Sequence, residues 1–399
     1  MNSQSFDDWA LERGQDPVKM VGHSPRNDPG GKVLPSSPYL LLGSTEAYSG
    51  KSALTLGIAQ YFQQQGLQIT YGKPLGTCFE EGPIKPGTVL IDEDVRFIAE
   101  TLNLSDEQRY PTLVMLDPTS VQRRLAQVDS TDYLAQLQQY RDRPPGDIAL
   151  IEGAGRLVDG QVFNLDLPQM AAALDAPVLL ANRWSETGSV DSLLAAQQAL
   201  GDRLLGVVLN AIPRTEIEHV RETLVPFLEV RGIPVLGLLP QSALLRSVSV
   251  TELVSRLNAE VLCCRDRLDL MVESLTIGAM NVNSAMEYFR KGRNMAVVTG
   301  GDRADIQLAA LETSTQCLIL TGRVAPLPQI ISRAEEMEIP ILSVQLDTLT
   351  TVEIIDQAFG QVRLHEIVKA QYVSRLVREA LDFQRLQTLL GLPAIATAS

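Results

Sequence analysis

A chain of 399 residues is too long for one compact core and fits two domains. Hydrophobic residues make up 45% and charged residues 21%, which excludes fibrous and intrinsically disordered classes. The net charge of -14 opposes a phosphate backbone or an anionic membrane surface at long range, so nucleic acid and membranes are excluded as general partners.

Residues 1–37 combine Pro25, Pro29, Gly30, Gly31 and Pro35 with little periodicity and are expected to form a flexible arm without chemistry. The start is neither basic nor followed by an apolar run, and no later stretch approaches the ~20 apolar residues of a membrane span, so a cytoplasmic protein is expected. Cys78, Cys263, Cys264 and Cys317 lack metal-ligand spacing and read as reduced thiols.

From Tyr39 onward short apolar runs alternate with helical patterns. Strands are predicted at Tyr39–Leu42, Leu67–Tyr71, Ile148–Ile151, Pro177–Leu180, Leu205–Asn210 and Ile233–Pro240, with helices at Ser52–Gln65 and near Thr215–Val230. This is the pattern of a P-loop NTPase-type α/β domain, a parallel sheet with helices on both faces, over residues 38–244. A helix at Thr251–Leu262 and strands at Asn294–Thr299, Cys317–Leu320 and Pro340–Val344 predict a smaller α/β domain over 245–362. In the C-terminal segment, 363–399, apolar residues recur every three to four positions from Ile367 to Leu390. They predict one amphipathic helix, covered by its own domain or by a second subunit. Self-association through the second domain, most simply as a dimer, is the expectation.

The first motif follows the first strand. Gly43, Thr45, Ser49, Gly50, Lys51 and Ser52 belong to a glycine-bounded loop that opens a helix, the context of a phosphate-binding loop. Its backbone N–H groups and the helix start would wrap the phosphates of ATP, Lys51 would reach the terminal ones, and the Ser52 hydroxyl would join Mg²⁺. The first glycine lies two residues farther from Gly50 than the standard spacing requires, with Thr45 at the usual glycine position. The alternative is an ordinary strand-turn-helix corner.

Glu152 follows a buried strand and precedes Gly153 and Gly155, which let a ligand approach the backbone closely. A carboxylate there can hold Mg²⁺ or its water; the alternative is a solvated loop acid. With the P-loop and with Lys73-Pro74 after the second strand, these residues resemble the dethiobiotin synthetase-like P-loop family, in the same superfamily as cobyrinic acid a,c-diamide synthases. The resemblance implies that Lys51 and Ser52 contact phosphates and Mg²⁺, that Glu152 is a metal ligand, and that Lys73 lies near a transferred phosphoryl group or its acceptor. It matches Asn210 to an adenine-reading asparagine. It also implies a second metal-binding acid among Asp92, Glu93 and Asp94, with Asp94 favoured; acids at a helix start, stabilised by the helix dipole, are the competing reading.

In the second domain Gly300, Gly301, Asp302 and Arg303 follow a strand, and Thr321-Gly322 comes later, with Arg323 where a final glycine is expected. This resembles the DRTGG domain. The order of the two domains, over about residues 38–365, resembles the N-terminal, non-catalytic half of long bacterial phosphate acetyltransferases. The glycine-rich turn would cradle a small anionic effector with Arg303 as donor, or it is a capped helix start. Acetyl transfer is not expected, because a chain ending at Ser399 leaves no room for the acetyltransferase domain.

Three functions follow as expectations: a nucleotide-responsive regulatory protein, favoured; an ATP-dependent ligase with its acceptor pocket around Lys73 and Thr77–Glu81; and a nucleotide hydrolase with mechanical output. His23, His219 and His365 stand apart from any Ser or Cys partner and read as surface or packing residues.

Overall fold

The computed structural model describes residues 37–77, 92–143, 146–362 and 364–392. The arm expected over 1–37 falls outside these apart from its last residue, as do Cys78, His23 and the segment 78–81 of the expected acceptor pocket.

Tyr39–Ser44 (β1) is buried at every position, as an unbroken apolar run requires of a strand covered on both faces. It leads into Lys51–Gln64 (α1), Ile69–Gly72 (β2), Glu93–Thr101 (α2), Ile148–Glu152 (β3), Leu167–Leu174 (α3), Val178–Arg183 (β4), Ser189–Leu200 (α4), Leu204–Ile212 (β5) and Val235–Pro240 (β6). The strands pair in parallel in the order β2-β3-β1-β4-β5-β6. The chain passes from β3 over β1 to β4, so a crevice opens at the carboxyl ends of β1 and β3, where open parallel sheets bind ligands. Leu42 of β1 pairs with Glu152 of β3 and so fixes the loop after one strand beside the acid ending the other. The helix expected near Thr215–Val230 is interrupted by a π turn at Val220–Leu224, two residues before Pro226, which has no N–H to donate.

The second sheet is built from Glu260–Cys263 (β7), Ser274–Ile277 (β8), Met295–Gly300 (β9), Thr315–Thr321 (β10) and Ile341–Ser343 (β11), in the order β7-β11-β10-β9-β8. All neighbours are parallel except β7 with β11. Val250–Leu257 (α5), Val282–Phe289 (α6), Ala304–Leu311 (α7), Pro328–Glu336 (α8) and Thr348–Gly360 (α9) flank it. The helix expected to reach Leu262 stops at Leu257. Asn258 takes a left-handed backbone (φ 46) as its C-cap, and the chain continues as β7.

The C-terminal segment forms two helices rather than one, Ile367–Ala380 (α10) and Phe383–Leu390 (α11), with Asp382 capping the second. They lie on the first domain. Val373, Val377, Phe383 and Leu386 share a core with Leu54, Ile58 and Phe62 of α1. The Tyr61 and Phe383 rings stack at 3.6 Å, the Asp382 N–H donates to Leu236 O at 2.7 Å, and Arg385 grips Glu229 through two bonds of 2.6 and 2.8 Å. From Tyr372 onward the apolar stripe is thus covered within the chain and lends self-association no support, while Ile367 and Val368 at its start stay exposed.

Close approach of α1 and α10 depends on Gly57, where an added Cβ would sit 2.6 Å from Val377. Gly57→Ala is therefore expected to destabilise the protein by about 1–3 kcal/mol through overpacking, although alanine favours a helix. Urea denaturation measures this, and Val377→Ala in the same chain should recover part of the loss.

Candidate functional site

The loop Thr45–Gly50 joins β1 to α1, with Gly50 at φ 90 as N-cap. No side chain caps this helix and no acid stands in its first turn, so its first N–H groups face the crevice without an internal anion. Glycine is required at position 50 twice over: the backbone is left-handed, and a Cβ would meet Asn210 Nδ2 at 2.1 Å. That same Nδ2 donates to Ser49 O at 2.7 Å, while Asn210 Oδ1 accepts from the Ala211 N–H at 2.8 Å. Asn210 braces the loop from β5.

Beneath the loop three groups converge on the fully buried Glu152. Ser52 Oγ donates to Oε1 at 2.7 Å, Lys51 Nζ lies 3.3 Å from the same oxygen, and the buried Tyr71 hydroxyl donates to Oε2 at 3.0 Å. Burial, reinforced by the negative charges of Glu152, Asp94 and Asp92, pushes the Tyr71 phenol well above its ordinary value, so it remains a donor. One carboxylate oxygen is thereby held back and the other is presented to the first turn of α1.

A second charged cluster stands at the ends of β2 and α2. Lys73, buried, reaches Asp92 at 3.0 Å and Asp94 at 2.6 Å. Burial alone would lower the Lys73 ammonium, but Asp94, Asp92 and Glu152 outweigh it and hold the group well above its ordinary value. For Asp94, burial would raise the carboxyl; Lys73 and a bond from His365 prevail and keep it far below the usual carboxylate range. Asp92 is spent on structure: it caps α2 by accepting from the Asp94 N–H at 2.9 Å and anchors the Thr77 N–H at 2.7 Å. Of Asp92, Glu93 and Asp94, it is Asp94 that lines the cavity.

That cavity, of about 320 Å³, is lined by Ser49, Gly50, Lys51, Ser52, Lys73, Asp94 and Asn210 among others. Gly43 and Thr45 stand apart from it. Gly43 lies inside β1, where a Cβ would strike Leu167, so packing against α3 explains its glycine; Thr45 Oγ1 accepts from Asn182 Nδ2 at 2.8 Å. The structure brings to the site two residues to which the sequence assigns no site role. Tyr71 reads as a core aromatic at a strand end. His365, read as a packing residue, places Nε2 3.2 Å from Asp94 Oδ1, across 271 residues of chain.

In the second domain the turn after β9 is closely packed. A Cβ on Gly301 would meet Val324 O at 2.1 Å, and the buried Gln307 amide donates to Gly300 O and Gly301 O. Asp302 does not cap α7; Arg303 occupies that position, and its guanidinium is held by Asp305 at 3.1 Å and by Met280 O at 2.9 Å. Gly300, Gly301, Asp302 and Arg303 are thus adjacent, with the arginine engaged internally.

Among the described residues no three His, Cys, Asp or Glu side chains stand together as a metal cage. Mg²⁺ does not require one: it keeps several waters and uses one or two carboxylates with substrate phosphates. The paired hard oxygens of Ser52 and Glu152 fit that requirement, while both oxygens of Asp94 are engaged by Lys73 and His365. Also among the described residues, no helix is long and apolar enough to cross a membrane.

An AAA domain model matches residues 39–249 and a DRTGG domain model matches residues 252–358. The chain is 25% identical over 367 residues to a phosphate acetyltransferase of Synechocystis sp., covering 88% of this chain and 51% of that protein. It is 24% identical over 228 residues to a cobyric acid synthase of Streptococcus sanguinis, covering 51% of this chain and 45% of the other. The chain spans about half the length of the phosphate acetyltransferases it matches. Among solved structures, the CBS and DRTGG domains of the regulatory region of Clostridium perfringens pyrophosphatase, complexed with the activator diadenosine tetraphosphate, match at 22% identity and a TM-score of 0.26. The match covers 32% of this chain and 58% of that one.

Proposed function

The chain belongs to the AAA-domain family whose model spans its residues 39–249, as a dethiobiotin synthetase-like P-loop domain joined to a DRTGG domain, and from that premise we propose that it binds ATP with Mg²⁺ and acts as a nucleotide-responsive regulatory protein. The observation that carries the reading is the convergence of Lys51 and Ser52 on the buried Glu152 under an uncapped helix start. A triphosphate would take the loop and first-turn N–H groups as donors and Lys51 as counter-charge. Ser52 and Glu152 are the residues that would hold Mg²⁺, which would supply neutralisation of phosphate charge. Asn210 keeps Gly50 in the shape that exposes the amides, and Tyr71 fixes the Glu152 carboxylate.

Binding has more support than turnover. The cation that a ligase would aim at a phosphoryl group, Lys73, is locked between two carboxylates. An ATP-dependent ligase is the second reading, favoured by one fact: the same cavity reaches from the P-loop to Lys73 and Asp94. Phosphate release that rises with a carboxylate or amine acceptor would select it; ATP binding without such release supports the regulatory reading.

Glu152→Gln keeps the shape but loses the charge that a hard cation prefers. The Mg²⁺ needed for half-maximal ATP binding is expected to rise by about tenfold or more. Calorimetric Mg²⁺ titration of both proteins at fixed ATP measures it, and coincident curves would remove Glu152 from the metal site.

A further inference from the structure

The first domain does not close the cavity alone. Phe359, Gly360 and Val362, at the end of α9 and just beyond, line it together with Leu364 and Lys369 from the segment that returns to the P-loop domain. This segment is a strap anchored at three points. Leu364 is buried in the core that contains α1. His365 holds Asp94 Oδ1, opposite the oxygen that Lys73 holds, with the Phe97 ring 5.9 Å from the imidazole. Lys369, buried, donates to Ser247 O at 2.8 Å and lies 3.0 Å from Glu366.

At its other end the strap continues α9, whose Ile355 and Ala358 share a core with Ala296 and Val298 of β9. β9 ends at Gly300, the start of the glycine-rich turn. The strap therefore joins Asp94, on the cavity that the phosphate loop also lines, to α9 and so to the sheet of the DRTGG domain.

We infer that the strap makes nucleotide occupancy and the placement of α9 interdependent, with His365 as the positioning residue that ties it to Asp94. This deepens the nucleotide reading above and rests on it. A ligand in a cavity walled by two domains binds best when both walls are in place, so it shifts the population toward that arrangement. By reciprocity, anything that holds the DRTGG domain in that arrangement tightens nucleotide binding by the same factor.

Amide hydrogen exchange on the full chain, with and without saturating ATP and Mg²⁺, tests this. The expected result is slowing by about tenfold both in Thr45–Ser52 and in Thr348–Gly360. In His365→Ala, again at saturating ATP, the response of Thr348–Gly360 should be largely lost, and His365→Gln, which retains an N–H donor, should restore it. Slowing confined to Thr45–Ser52 in the unaltered protein, or an α9 response in His365→Ala equal to the original, would overturn the coupling while leaving nucleotide binding intact. No slowing at Thr45–Ser52 would overturn the nucleotide reading and the coupling with it.

Discussion

Lys51→Ala is expected to weaken ATP binding by about 10- to 100-fold while the fold persists. A hydrogen bond to a charged group contributes roughly 1.5–3 kcal/mol, and about 1.4 kcal/mol corresponds to a factor of ten. Lys51 stands at the first position of α1, with its ammonium beside the crevice rather than in a core cluster. Its loss also removes the cation nearest Glu152, but that carboxylate keeps the hydroxyl donors of Ser52 and Tyr71, so the fold should survive. Calorimetry with ATP, beside circular dichroism of the variant, decides the matter. Unchanged affinity in a folded Lys51→Ala protein would sink the phosphate-loop reading.

Lys73→Met should be the most destabilising single change at the site, by about 3–5 kcal/mol, because it strands buried carboxylates without their cation. Its pH dependence carries a distinctive sign. In the unaltered protein the Asp94 carboxyl titrates below its unfolded value of about 3.9, so its stabilising contribution is present above that pH and is lost as acid protonates the group. Without Lys73 we expect burial to prevail over the remaining bond from His365, so that Asp94 titrates above its unfolded value in the folded state. Its contribution then becomes unfavourable at neutral pH and is relieved on acidification. The stability gap between the two proteins should therefore narrow from pH 7 to about pH 5, as measured by urea denaturation at both values. A gap that stays constant or widens would show that His365 alone keeps Asp94 ionised down to pH 5.

The features legible in the sequence are those whose chemistry is local in the chain. The phosphate loop, the acid ending β3 and the asparagine on β5 each sit beside an apolar run that fixes their position at the carboxyl edge of a sheet. The cap of α2 is what separates Asp94 from Asp92 physically, since the residue spent on the helix cannot also face the cavity. Gly43 lies off the cavity for a related reason: glycine inside a strand relieves a clash with another element, which a motif count does not register. Tyr71 and His365 were out of reach because their roles depend on partners 81 and 271 residues away. β7 escapes the sequence because Val261 and Leu262 continue the apolar pattern of the preceding helix past Asn258.

The cover that α10 and α11 provide bears on the order in which the molecule can be assembled. Val373, Val377, Phe383 and Leu386 complete the core around α1, so the P-loop domain cannot finish that core until Leu386 has left the ribosome. Until then the apolar surface of α1 and the outer strand β6 stay open, and the intervening domain has time to fold before the earlier one closes. Contacts of such long sequence separation slow folding more than they weaken the finished structure. The later domain thus behaves during biogenesis as an insertion into the earlier one, and a polypeptide released after Pro240 would expose an unfinished, aggregation-prone face.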